Sequence, residues 1–164
     1  MPSRVSLAGA GAALLLLIPL HARPRLVWNA SASAPVGLYA VDAPRALRAG
    51  DLVIAAPPPA AARLAANRHY LPLGVPLVKR IAALPGEPVC AAGATLRAPR
   101  GLSVERLRAD ARGHLLPWWK GCGRLGADTY LLLMADVRDS FDGRYFGPVA
   151  RAQIVGKARA LWLP

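Results

Sequence analysis

The sequence predicts a mainly β domain that follows an N-terminal membrane segment and contains one or two short helices. The chain has 164 residues, which is enough for one compact domain and an appendage but too few for a multidomain enzyme. Its 16 prolines and 15 glycines divide the apolar residues into short runs, as is typical of β-rich domains. A hydrophobic fraction of 54% and a mean hydropathy of +0.31 exclude a disordered chain.

The N-terminal segment from Val5 to Leu20 carries no charge and is followed by basic residues. It is slightly shorter than the roughly 20 residues that span a bilayer core, so an uncleaved anchor, a cleaved signal peptide and a buried helix all stay open. We favour the anchor, because the residues from Ile18 to Arg23 offer a poor small-x-small cleavage site. The chain therefore divides into a membrane anchor, residues 1–26, and a β-rich domain, residues 27–164.

The domain contains six candidate strands, in which short apolar runs lie between Pro and Gly residues. These are Gly37–Val41, Asp51–Ala55, Leu77–Ala82, Pro88–Cys90, Thr129–Met134 and Ile154–Leu161. The segment Pro59–Tyr70 predicts a helix, because a proline-rich entry precedes alanine, leucine and arginine. A second, weaker helix is expected near Val104–Arg112. The stretch 92–125 has little periodicity and indicates an inserted lobe or long loop.

Cys90 and Cys122 are the only two cysteines. Neither lies in a CxxC motif or at metal-like spacing from histidine, so we expect neither a metal site nor a cofactor. Two cysteines in an exported domain predict one structural disulfide, which would close the lobe at about residues 90–122. The alternative is a pair of buried free thiols in a cytoplasmic protein.

The formal net charge of +12 suits an anionic membrane surface or a nucleic acid. The arginines are scattered rather than gathered in blocks, which favours solvated faces, and no nucleic-acid motif accompanies them. We therefore expect membrane lipid, but no nucleic acid, among the partners. Only three of the 21 basic residues are lysines, namely Lys79, Lys120 and Lys157. Lysine, unlike arginine, can lose its proton and act as a base.

Three segments hold residues that could carry chemistry. Ser31 and Ser33 are surrounded by alanines that leave room for a substrate backbone. The alternative is that this segment is a simple turn or linker, which can have the same composition. Lys79 stands inside an apolar run. If its side chain points inward, burial lowers the pKa of the amine and makes it a general base, whereas an outward side chain would be an ordinary surface lysine.

The third segment holds Asp142 two residues before Arg144, a spacing that allows a charged pair to pin a turn, with Ser140 free to bond a neighbour. The alternative is a polar loop. His69 and His114 lie near no Asp or Ser in a familiar catalytic order. Serine and lysine without a credible histidine indicate a Ser-Lys dyad.

Five segments in order resemble the boxes of the type I signal peptidase family, and more closely those of its TraF-type branch of conjugative-transfer peptidases. They are NASASAPVGLY, GDLVI, LVKRIAALPGEPV, SFDGRYFGPV and IVGKARALW. Only Ala34 separates Ser33 from the following proline, as in that branch. The sequence departs from the family at Gly143, where serine is common, and at Glu87, where aspartate is common.

The resemblance implies a role for each matching residue. Ser33 matches the nucleophile and Lys79 the general base. Ser31 matches the residue whose hydroxyl assists the Ser33 N–H in the oxyanion hole. Ser140 matches a serine that orients the lysine amine, and Asp142 with Arg144 matches a buried pair that braces the site.

The resemblance also implies a function and a location. We expect a membrane-anchored serine endopeptidase that matures a pilin-like subunit of a conjugative or type IV secretion system, with other subunits of that apparatus as further partners. The domain would lie in the periplasm, held by a single span in the bacterial inner membrane. One alternative is a general type I signal peptidase that removes signal peptides from exported proteins. Another is a non-catalytic, basic envelope protein that binds a secretion-channel subunit.

Overall fold

The computed structural model describes residues 25–164. The expected membrane segment Val5–Leu20 lies outside these residues. Within the described part of the chain, no helix has the length and apolar character needed to cross a membrane. The expected boundary near residue 26 stays a prediction.

The described chain is mainly β, with two helices. Its strands are β1 (Leu26–Asn29), β2 (Gly37–Asp42), β3 (Leu52–Ala55), β4 (Leu77–Ala83), β5 (Pro88–Ala92), β6 (Thr95–Arg97), β7 (Ser103–Glu105), β8 (Gly121–Arg124), β9 (Thr129–Leu133), β10 (Val149–Ala150) and β11 (Ile154–Trp162). The helices are α1 (Pro59–Asn67) and α2 (Gly143–Phe146), and a 3₁₀ turn covers Arg151–Gln153. All six strands predicted from the sequence are present, and the mainly β class is confirmed.

The strands form two antiparallel sheets. The larger sheet has seven strands in the order β1-β2-β11-β3-β4-β9-β10, and the smaller sheet has four strands in the order β7-β6-β5-β8. The smaller sheet, with the loop that follows β7, forms the lobe predicted within 92–125. A core cluster with Ala83, Leu96 and Leu131 joins the two sheets. The lobe therefore packs on the strands of the larger sheet and shares its core.

The predicted helix at Pro59–Tyr70 is confirmed as α1 but ends at Asn67. His69 adopts a positive φ of 57°, and the Tyr70 N–H bonds back to the carbonyl of Ala65, so the chain leaves the helix there.

The second predicted helix, near Val104–Arg112, is wrong. Val104 lies in β7, where it is buried between two exposed neighbours, which is strand periodicity. Farther on, the Asp110 carboxylate accepts hydrogen bonds from the N–H groups of Arg112 and His114. A side chain that takes up local N–H groups in this way competes with helix formation.

The predicted disulfide between Cys90 and Cys122 is present. The two cysteines lie directly opposite each other on β5 and β8. All four residues of β8 are exposed, so apolar burial does not fix this strand. It is held by pairing with β5 and by the disulfide. The bond encloses the hairpin β6–β7 and the long loop that follows it.

Replacing both cysteines, as Cys90→Ser with Cys122→Ser, is expected to lower the free energy of unfolding by roughly 3 to 4 kcal/mol, the chain-entropy value for a loop of this size. Urea denaturation of both proteins measures the loss. Non-reducing mass spectrometry of wild-type protein from a bacterial periplasm should show the two cysteine peptides linked. Two freely alkylated thiols in that native protein would refute the assignment.

Candidate active site

The loop between β1 and β2 is folded around one carboxamide. Asn29, the last residue of β1, is buried. Its Nδ2 donates to the carbonyls of Ser31 at 2.9 Å, Ala34 at 3.1 Å and Pro35 at 3.0 Å. Its Oδ1 accepts from the Ser31 N–H at 3.2 Å. One side chain thus fixes the curvature of the loop that presents Ser33.

The end of this loop, where it enters β2, is fixed by a hydrogen bond and by the close approach of β11. The Tyr39 hydroxyl donates to the Pro35 carbonyl at 2.6 Å. Gly37 has a φ of 150°, and a Cβ there would lie 2.2 Å from the carbonyl oxygen of Trp162. Only glycine lets β11 approach β2 this closely. The Pro-x-Gly turn seen in the sequence therefore serves the packing of the C-terminal strand.

The structure brings Ser33 and Lys79 together. Lys79 Nζ donates to Ser33 Oγ at 2.6 Å, across 46 positions of sequence. Lys79 lies on β4, where only Arg80 among the seven residues is exposed. The other six residues of the strand are buried, Lys79 among them, so the alternative of an outward lysine does not hold.

Ser31 lies beside the nucleophile candidate, but the expected oxyanion hole is not formed. The Ser31 Oγ is 2.9 Å from the Ser33 Oγ and accepts the Ser33 N–H at 3.3 Å. The Ser33 N–H and the Ser31 hydroxyl, the two expected oxyanion donors, are thus engaged within the pair of serines. Forming the hole would require the Ser31 hydroxyl to rotate and release the Ser33 N–H.

Burial gives Lys79 the electrostatics of a base. Its side chain is only 1% exposed. Burial is the largest effect and lowers the pKa of the Lys79 amine to about 8. The negative charge of Asp142 opposes this change, and the positive charge of Arg144 adds to it. A substantial fraction of the amine is therefore neutral in mildly alkaline solution.

Asp142 and Arg144 form the buried pair that the sequence predicts. Arg144 Nε donates to Asp142 Oδ1 at 2.9 Å, with side chains 1% and 0% exposed. Asp142 Oδ2 accepts the Met134 N–H at 2.9 Å, and Arg144 Nη2 donates to the Met134 carbonyl at 2.7 Å. Asp142 also caps α2 by accepting the Arg144 N–H. The pair ties α2 to the end of β9, next to the strand that holds Lys79.

Ser140 is buried close in sequence to this pair, but its Oγ has no hydrogen-bond partner among the described residues. The expected bond to the Lys79 amine is therefore absent from this arrangement.

The two departures from the family pattern have local explanations. A Cβ on Gly143 would lie 2.7 Å from the Leu132 carbonyl oxygen and 2.8 Å from the Leu131 side chain, so α2 sits too close to β9 for a serine. Glu87 lies in the turn after β4, where it accepts the Leu84 N–H at 2.7 Å and pairs with Arg100.

A cleft of about 320 Å³ opens at the two serines. Its walls come from the serine loop, the segment after α1, the lobe and the residues before and within α2. Among the lining residues are Asn29, Ser31, Ser33, Tyr70, Leu71, Leu107, Asp110, Leu116, Phe141 and Tyr145. With Ala32, Pro76, Leu77, Val78 and Ala111, which also line it, most of the cleft is apolar, so it suits uncharged side chains.

The far wall of the cleft is held by a polar cluster that the sequence did not indicate. The Tyr70 hydroxyl donates to the Asp110 carboxylate, which also contacts His114 Nδ1 at 2.9 Å. These bonds hold the pKa of Asp110 well below its usual range, and the bond from Tyr70 has the largest effect. His114 thus has an aspartate partner after all, four residues before it. The contact joins the lobe to the segment after α1.

Within residues 25–164, no cluster of three or more His, Cys, Asp or Glu side chains could hold a metal ion.

The comparisons with known proteins show the family of the chain. The family model described as signal peptidase, peptidase S26, matches residues 3–163. The chain belongs to this family. It is 37% identical over 158 residues to the plasmid transfer protein TraF of Escherichia coli, covering 90% of this chain and 88% of that protein. It is 32% identical over 143 residues to the conjugal transfer protein TraF of Agrobacterium fabrum, covering 82% and 80%. The resemblance stated from the five segments is confirmed.

Replacing the buried amine gives a test that needs no enzymatic activity. Because the folded state lowers the pKa of Lys79 to about 8, folding below that pH must bury an ammonium ion. That cost fades as the pH rises toward the unfolded lysine pKa of about 10.4. Lys79→Met should therefore raise the free energy of unfolding by about 2 kcal/mol at pH 7, net of the lost bond to Ser33.

The gain should shrink as the pH is raised, as measured by urea denaturation between pH 7 and 10.5. Lys120→Met, at an exposed lysine, is the matched control and should show no such trend. A stability difference for Lys79→Met that does not depend on pH would contradict the burial of an ionisable amine.

Proposed function

We propose that the protein is a serine endopeptidase with a Ser33-Lys79 dyad that matures a pilin-like subunit of a conjugative or type IV secretion system. The observation that carries the proposal is the 2.6 Å contact between Ser33 Oγ and the buried amine of Lys79. A serine hydroxyl is a weak nucleophile until a neighbouring base takes its proton, and a desolvated amine can do so near neutral pH.

In the proposed reaction, the neutral Lys79 amine accepts the Ser33 hydroxyl proton while Ser33 Oγ attacks the scissile carbonyl. The resulting ammonium gives its proton to the leaving amine as the peptide bond breaks, which leaves an acyl ester on Ser33. A water molecule or a second amine then attacks the ester, with Lys79 again accepting the proton. Release of the acyl group restores the Ser33 hydroxyl.

Charge on the tetrahedral oxygen needs donors, and the Ser33 N–H with the Ser31 hydroxyl would supply them. Since the Ser31 Oγ now accepts that N–H, the substrate oxyanion must displace it. The exchange replaces a neutral acceptor by an anion, and hydrogen bonds to charged acceptors are the stronger ones. Asp142 with Arg144 is proposed to brace α2. Ser140, whose Oγ has no partner among the described residues, would have to turn toward the Lys79 amine to orient it during the reaction.

The substrate is proposed to bind as an extended strand. β1 is an edge strand of the larger sheet and leads directly into the serine loop. Main-chain pairing with an added strand would give affinity, and the cleft would select side chains near the scissile bond. The names of the relatives, which are plasmid and conjugal transfer proteins, support a role in conjugation. The pilin-like substrate, with secretion-apparatus subunits as further partners, is our proposal for that role.

The domain is proposed to lie in the periplasm, against the inner membrane that residues 1–26 enter by a single span. The described chain begins beside an apolar surface on which Trp28 and Trp162 stack at 5.6 Å. Both indoles are more than half exposed, as is Leu26. Tryptophan side chains favour the membrane interface, which supports contact between this surface and lipid.

Variants of the dyad test the proposal directly. Ser33→Ala and Lys79→Arg should each abolish processing of the pilin precursor, the latter because guanidinium keeps its proton. Ser31→Ala should lower the rate of processing on the order of 10²-fold and not abolish it, since the Ser33 N–H remains as an oxyanion donor. To measure processing, each variant is co-expressed with a small pilin-like precursor encoded near its gene, and the product is weighed by mass spectrometry.

Lys157→Arg, at a partly exposed lysine outside the cleft, is the matched control and should process normally. A mature product in the Lys79→Arg strain would remove Lys79 from the base role. An intact pilin alongside efficient cleavage of ordinary secretory precursors would instead identify a general signal peptidase. The product mass also separates hydrolysis from head-to-tail joining, which would lower it by about 18 Da because the amine replaces water as the attacking group.

A further inference from the structure

One indole joins the lobe to the turn that surrounds the base. Trp119 Nε1 donates to the Gly143 carbonyl at 2.8 Å. The same ring lies against Gly147, where a Cβ would be 3.6 Å away. Gly143 begins α2 and Gly147 directly follows it. Trp119 therefore contacts both ends of this short helix.

The helix is supported from two sides, by the buried Asp142–Arg144 pair that ties it to β9 and by Trp119 from the lobe. It has only four residues, and Gly143 offers no side chain to hold it in place. Yet α2 and its cap carry Asp142 and Arg144, the charged groups that act on the Lys79 amine. The described groups that act on this amine are Ser33, through a hydrogen bond, and Asp142 and Arg144, through their charges. Any movement of α2 would change the surroundings of Lys79.

Trp119 itself is fixed by the lobe. The buried Arg106 donates from Nη1 to the Trp119 carbonyl at 2.6 Å. Three residues farther on, Cys122 is bonded to Cys90. The neighbouring Trp118 has other partners, because its Nε1 donates to the Leu107 carbonyl at 2.9 Å. Two adjacent indoles thus differ in whether they bond to α2.

We propose that Trp119 is a positioning residue through which the lobe holds α2 against Lys79 and keeps water away from the amine. The inference rests on the proposed function in one respect, namely that Lys79 is the base. The contacts that carry it are the bond to Gly143, the packing on Gly147 and the anchoring of Trp119 by Arg106.

Loss of the indole N–H has a definite consequence for the base. The Gly143 carbonyl loses its donor, α2 loosens, and water reaches the Lys79 amine. Because burial is the largest cause of the lowered pKa, hydration raises the pKa of Lys79. Below the pKa, each unit of increase lowers the neutral fraction about tenfold. Activity should therefore fall at low pH and recover at high pH.

The first test is Trp119→Phe, which keeps an aromatic ring and removes the N–H. We expect kcat/KM at pH 7 to fall about 3- to 10-fold, and to approach the wild-type value above about pH 10. Trp118→Phe is the comparison variant: its N–H supports the cleft wall at Leu107, so any loss in kcat/KM should be the same at every pH. For Trp119→Phe, an equal loss at every pH would show a merely structural role and overturn the proposal.

The second test does not need peptidase activity. Heteronuclear NMR of the Lys79 side chain, in the Ser33→Ala background, should give a higher pKa with Trp119→Phe than without it. Identical titrations would overturn the inference. If the wild-type protein has no peptidase activity but Trp119→Phe still raises the pKa of Lys79, only the proposed function is refuted. If Trp119→Phe does not fold, benzothienylalanine at position 119 keeps the ring size and removes only the donor, and the same titration decides.

Discussion

The rest of the site depends on the burial of one amine next to one hydroxyl. Lys79 is only 1% exposed, and its Nζ lies 2.6 Å from Ser33 Oγ. A charged ammonium is costly there, so burial lowers the pKa of Lys79 to about 8. The cost in stability and the presence of neutral amine near neutral pH have the same cause. A hydrated lysine would stabilise the fold and would lose most of its capacity to accept a proton near neutral pH.

Three parts of the fold maintain this burial. The lobe shares core residues with the ends of β4 and β9, and only Arg80 of the lysine strand is exposed. The buried pair of Asp142 and Arg144 ties α2 to Met134 at the end of β9. Opposite them, Asn29 curls the serine loop so that Ser33 meets the amine. In the proposed reaction, the four-stranded lobe has no catalytic side chain and contributes through Trp119, by keeping water away from Lys79.

The sequence predicts the parts of the structure that local patterns determine. The six strands and α1 follow apolar runs bounded by Pro and Gly, and the order of the five family segments identifies Ser33 and Lys79 as candidates. β8 escapes prediction because all its residues are exposed and its position depends on β5 and the disulfide. The expected helix near Val104–Arg112 fails because the Asp110 side chain takes up the local N–H groups. The Tyr70–Asp110 contact spans 40 positions, so no local pattern indicates it. The bonds of Asn29 are local and reach only residues two to six positions ahead, as in a turn built on an asparagine side chain.

Acylation of Ser33 is the most direct measurement of the central claim. The described domain or full chain would be treated with a β-lactam acylating inhibitor across a pH series, and the adduct located by peptide mass spectrometry. The account predicts one adduct, on the Ser33 peptide, whose rate of formation rises with pH to a plateau with a midpoint near the Lys79 pKa of about 8. It also predicts no adduct in Lys79→Met. An unlabelled Ser33, or equal labelling of wild type and Lys79→Met, would contradict a lysine-activated nucleophile and favour a non-catalytic envelope protein.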